Sequence, residues 1–127
     1  MPLVTVTLSG QKTPAYKDAI LAGVHRALVA AGVPETDRFQ RVLELGSEDF
    51  RFDPQYPDAG SPRGSDFVLI EILWSVGRSV KIKRKVLSDI VSAIARDPGV
   101  DPEHVMIVFK ETNWENWAFA GGRMLHA

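Results

Sequence analysis

A proline at position 2 can do chemistry that no internal proline can. Aminopeptidases remove Met1 ahead of a small second residue, so the mature chain is expected to begin at Pro2, with a free secondary amine. An α-amino group titrates near neutrality, at about 7.7–8.0, and burial or a nearby cation lowers it into the range of a general base. Arg78, in Val76-Gly77-Arg78-Ser79, is the second candidate. It borders a predicted helix start, where free N–H groups favour an anion, and its planar fork suits a carboxylate. Asp37 is the third. It follows Pro34 and precedes a strand, so it reads equally as a turn residue or as a catalytic one. Beside the amine it would raise the amine pKa, opposite in sign to Arg78. Trp114, Trp117 and Phe119 stand among polar residues near the end of the chain, as the wall of an apolar pocket, as subunit packing, or as both.

These residues need a frame, and the sequence supplies one twice. Residues 3–8 alternate as a half-buried strand, Thr13-Pro14 caps a helix over 14–31, and 39–45 resume as a strand. Residues 67–74 form another strand, Ser79 caps a helix over 80–96, and 105–111 close the pattern. Ile20, Leu21, Val24, Ala27 and Leu28 recur 66 residues later as Val86, Leu87, Ile90, Ala93 and Ile94. One unit of this kind cannot bury its own apolar face, so the pattern predicts an α/β (α+β) fold in which duplicated β-α-β units form a four-stranded sheet with two helices on one face. The whole is read as one domain, 1–127, with repeat units at about 2–45 and 66–111. A connection over 46–65 and a tail over 112–127 complete it. The connection carries a short extended Phe50-Arg51-Phe52 and is expected to fold back over the sheet or reach a neighbouring subunit.

Composition removes several classes of function. A net charge of −1 gives no general attraction to nucleic acid or an anionic membrane, and the run Lys81, Lys83, Arg84, Lys85 reads as a solvated helix face. With no cysteine, thiolate catalysis and cysteine metal sites are excluded. His25, His104 and His126 show no metal-ligand spacing, and hydrogen-bonded partial burial is expected for His25 and His104. Neither a signal peptide nor a membrane span is read, so a soluble cytoplasmic protein is the expectation.

Pro2 heading a strand, the duplicated unit, Asp37 in Val33-Pro34-Glu35-Thr36-Asp37-Arg38-Phe39-Gln40, Gly77-Arg78-Ser79 and Asn116-Trp117-Ala118-Phe119 together resemble the tautomerase superfamily, in the branch containing malonate semialdehyde decarboxylase. The resemblance implies a homotrimer whose sheets enclose a barrel, with three sites around the amino-terminal prolines and no metal or organic cofactor. It implies small enol, 2-oxo, unsaturated or halogenated acids as substrates. Pro2 corresponds to the catalytic proline, Asp37 to the aspartate that orients or activates water, and Arg78 to the second of two arginines that hold the carboxylate. Val76 stands where the first arginine is expected. The expected activity is therefore a cofactor-independent tautomerase acting on a small 2-oxo or enol carboxylate. The alternatives are a decarboxylase or hydratase, or a non-catalytic trimeric ligand-binding module. Arg63, in the connecting loop, could also send its side chain towards the site, although a surface position is the commoner fate of such a residue.

Overall fold

The computed structural model describes residues 1–124, so His126 lies outside the described residues. The chain runs β1 (Leu3–Ser9), α1 (Pro14–Ala30), β2 (Phe39–Leu45), β3 (Val68–Ser75), α2 (Val80–Arg96) and β4 (Val105–Thr112), with short 3-10 turns at Pro102–His104 and Trp114–Asn116. Both helices start as their sequences dictate. Thr13 Oγ1 accepts from the Tyr16 N–H and Ser79 Oγ from the Ile82 N–H, each at 3.2 Å, giving each first turn a partner for an otherwise orphaned donor. The two helices are equal in length and 66 residues apart, 14 to 80 and 30 to 96.

The sheet order is β2-β1-β3-β4. β1 pairs parallel with β2 and antiparallel with β3, and β3 pairs parallel with β4. Each β-α-β unit thus contributes a parallel pair, and the two units join along β1 and β3. Val4, Val6 and Leu8 of β1 and Ile70, Ile72 and Trp74 of β3 share one face, buried under Ile20, Val24 and Leu28 of α1 and Val86, Ile90 and Ile94 of α2. Both helices therefore cover the same face, and each such side chain contributes about 1.5–3 kcal/mol by leaving water. The helices touch closely at Gly23, where an added Cβ would stand 3.2 Å from Ala93 Cβ.

Among the described residues no helix covers the other face. There Arg41 Nε donates to Thr5 Oγ1 at 2.8 Å and Lys110 pairs with Glu71 at 2.5 Å, while Leu43 and Met106 stay 43% and 47% exposed.

The connection folds back on its own subunit. Phe50 and Phe52 pack on Phe67 with ring centres 5.5 and 4.4 Å away, rather than forming a strand. A polar clasp ties it to the start of β4. Ser61 Oγ donates to Asp101 Oδ2 at 3.1 Å and lies 2.9 Å from His104 Nε2, and His104 Nδ1 meets Asp66 Oδ1 at 2.7 Å. His25 is buried, its Nε2 donating to the Glu35 carbonyl at 2.8 Å. Lys83 and Lys85 pair with Glu111 and Asp89, and Lys81 and Arg84 are exposed, as a solvated helix face requires.

Candidate functional site

Antiparallel pairing decides which ends meet. The register Leu3↔Leu73 sets the start of β1 beside the end of β3, so buried Pro2 lies next to Trp74 and close to the loop that leaves β3. That loop turns at Gly77, whose φ of +118° suits only a residue without Cβ, and delivers Arg78 to the first turn of α2. Arg78 is only partly exposed. Its guanidinium sits 4.2 Å from the centre of the Trp74 ring and its Nη1 donates to the Ser75 carbonyl at 2.9 Å. Burial pulls this guanidinium below its ordinary pKa, while the carboxylates of Glu111 and Asp37 act against that shift. Arg78 stays charged, and Asp37 is close enough to act on it.

Asp37 closes the site from the other side. Its N–H donates to the Pro34 carbonyl at 3.0 Å, as in a turn, yet its Oδ2 lies 2.5 Å from the Met1 ammonium. The turn reading of this residue therefore holds, and its carboxylate is also directed at the first residue of the chain. With Met1 in place the Pro2 nitrogen is an amide. Its removal moves the amine inward by one residue step, about 3.8 Å between Cα atoms.

The tail supplies a wall. Trp117 Nε1 donates to Ser75 Oγ at 2.9 Å, Trp117 stacks on Phe119 at 5.5 Å, and Phe119 stacks on Phe39 at 5.4 Å, so three rings run from the Arg78 end towards β2. Trp114 occupies the 3-10 turn before them and is 40% exposed. Arg63 is not in this group. It lies at the opposite end of β3, its Nη1 on the Asp53 carbonyl and its guanidinium 5.6 Å from the Phe67 ring centre.

The structure thus gathers Pro2, Asp37, Arg78, Trp117 and Phe119. It adds Trp74, Glu111 and Phe39, which read in the sequence as ordinary strand residues, and Ser75, one residue beyond the expected strand. One signal was available: an arginine four residues after a tryptophan that ends an apolar strand. A terminal amine, a carboxylate, a half-buried guanidinium and an apolar wall can together hold a small anion and move a proton on it.

A family model described as tautomerase enzyme matches residues 37–120. A probable tautomerase of Ralstonia nicotianae is 28% identical over 53 residues, 42% of this chain and 82% of that protein, which is therefore only about half as long. Malonate semialdehyde decarboxylase, whose structures address decarboxylase and hydratase activities, superposes with a TM-score of 0.86 and 29% identity, covering 96% of this chain and 93% of the other. A fused 4-OT, a symmetric trimer, superposes with a TM-score of 0.79 over 98% of this chain and 97% of its own; at 22% identity it shows the shared fold alone.

Proposed function

From the membership of this chain in the tautomerase enzyme family, matched over residues 37–120, we propose a cofactor-independent tautomerase that uses Pro2 on a small 2-oxo or enol carboxylate. One observation carries the reading: Asp37, whose carboxylate lies 2.5 Å from the ammonium of Met1, one residue ahead of Pro2, also acts on Arg78. In this mechanism Arg78 holds the substrate carboxylate, and the Pro2 nitrogen takes the enol hydroxyl proton and returns it to the adjacent carbon. Asp37 orients the amine, and Trp117 and Phe119 exclude water, which strengthens the charge interactions inside. Trp114 is assigned to the same wall. The assembly we propose is a homotrimer, supported by the uncovered sheet face with its exposed Leu43 and Met106 and by the trimeric fused 4-OT. No helix among the described residues is long and apolar enough to cross a membrane.

A second reading, decarboxylation or hydration of a small oxo or unsaturated acid, draws on the likeness to malonate semialdehyde decarboxylase over nearly the whole chain. A phenylpyruvate enol-keto assay, with intact mass to establish that Met1 is gone and Pro2→Ala as blank, tests the leading reading. Turnover in Pro2→Ala that matches the unmodified chain rejects it. A protein that keeps Met1 and turns over nothing is the ligand-binding module instead.

A further inference from the structure

The duplication gives the sheet two equivalent ends, and only one of them is the site described above. At that end Arg78 Nη1 donates to the Ser75 carbonyl at 2.9 Å and Lys83 pairs with Glu111 at 3.0 Å. At the other end Lys12 Nζ donates to the Ser9 carbonyl at 3.1 Å and Lys17 pairs with Glu44 at 3.0 Å. Lys12, Ser9 and Lys17 each lie 66 residues before their counterparts, and Glu44 lies 67 before. The polar frame that surrounds Arg78 is therefore repeated around Lys12, whose Nζ also donates to the Ser65 carbonyl at 3.0 Å. What differs is the position of Pro2: there the chain runs on through Asp66 and Phe67, so no amine can be formed.

This second end is hollow. A cavity of about 440 Å³ is lined by Ser9, Phe50, Arg51, Phe52, Arg63 and Ser65, within the usual size range of a small-molecule site. Its two guanidiniums bond to backbone carbonyls, Arg51 Nε to Glu48 at 3.0 Å and Arg63 Nη1 to Asp53 at 2.9 Å, and neither forms an ion pair among the described residues. Asp53, whose carbonyl holds Arg63, has a carboxyl held below its ordinary pKa chiefly by the N–H groups of Gln55 and Tyr56, with Arg63 a lesser cause. Two cations beside phenylalanine rings suit a carboxylate attached to an apolar group.

We infer that the Arg51–Arg63 cavity is a second, non-catalytic binding site for a small apolar carboxylate, in the place where the duplicated unit has lost its terminal amine. It does not depend on Pro2, so it stands or falls separately from the proposed enzyme activity.

All three tryptophans belong to the first half of this comparison, Trp74 and the tail, and none lines the second cavity. The test uses phenylacetate, which has no 2-oxo group to tautomerise, against the full chain without Met1. Amide chemical shifts are expected to move in two groups, one around Arg78 and Trp117 and one around Ser9, Phe50 and Ser65. Calorimetry is expected to give two molecules per chain. Arg63→Gln and, separately, Arg51→Gln are expected to weaken the second group by about tenfold, the loss of one charged hydrogen bond, while leaving the first group and Pro2-dependent turnover unchanged. Arg78→Ala should do the reverse. Shifts confined to the Arg78 end, or second-end shifts that persist in both glutamine variants, overturn the inference. A dispersed amide spectrum for each variant shows that it has folded.

Discussion

Arg78 sits over Trp74, its guanidinium carbon 4.2 Å from the ring centre, with one N–H already given to the Ser75 carbonyl. The ring contact and the hydrogen bond restrain the guanidinium before any ligand arrives, and among its five N–H donors most remain for an anion. Arg78→Ala is therefore expected to raise KM for phenylpyruvate by about 10- to 100-fold with a smaller change in kcat, the pattern of an interaction made equally in ground and transition states. Arg78→Lys should recover little, because an ammonium can neither stack nor form the fork. A kcat effect larger than the KM effect would instead mean that Arg78 acts on the transition state.

Pro2→Ala keeps a terminal amine on the same residue but turns it from secondary to primary and frees it from the ring. A loss of about 10²-fold or more in kcat/KM is expected, the usual contribution of a placed general base. Acetylating the terminus of the unmodified protein should abolish turnover altogether. Steady-state kinetics on batches whose mass lacks Met1 check both.

Val76 is 39% exposed and offers no charge where the decarboxylase resemblance expects an arginine. Decarboxylation of malonate semialdehyde should be weak or absent and should rise in Val76→Arg. Efficient carbon dioxide release by the unmodified chain, measured by a coupled assay, would show that another cation serves in its place.

His104 makes stability depend on pH. Its hydrogen bond to Asp66, ahead of the nearby charges of Asp66 and Asp101, raises its pKa above the ordinary 6.5, against a smaller opposing effect of burial. A raised native pKa means that the stabilisation is complete below 6.5 and disappears as pH climbs through the native value. The melting-temperature difference between the unmodified chain and Asp66→Asn should therefore be largest near pH 5.5 and shrink in alkaline buffer. A difference that grows with pH would refute the pairing.

Gly23 is buried where α1 meets α2, with Ala93 Cβ at 3.2 Å and Ile94 Cγ2 at 3.4 Å from an added Cβ. Gly23→Leu should cost about 1–3 kcal/mol in urea unfolding, since a packed interface must shift to admit it. Gly23→Ala sets a helix-propensity gain of about 1 kcal/mol against a mild overlap, and should change stability much less.

The helices were legible because their signals are local. Thr13 and Ser79 announce the caps, and the apolar period marks the bodies, so the expected 14–31 and 80–96 differ from Pro14–Ala30 and Val80–Arg96 by one residue at one end. The site was legible only in its unusual members. Pro2, Asp37 and Arg78 have chemistry that stands out in a sequence. Ser75 and Glu111 do not, because their value comes from the β1-β3-β4 register, which puts residues distant in sequence side by side. The turn of the connecting loop onto Phe67 and His104 is of the same kind: it depends on which surface the fold leaves uncovered, and no spacing records that.

The Ralstonia relative is about half as long as this chain, in which two β-α-β units follow one another. In an assembly built from half-length copies, every inherited change is struck into all copies at once, and a substitution that helps one position must be tolerated at its twin. Joining the copies removes that constraint. Selection can act on position 12 without touching position 78, and Lys12 and Arg78 already differ. Two units within one chain are thus inherited together yet are free to specialise apart.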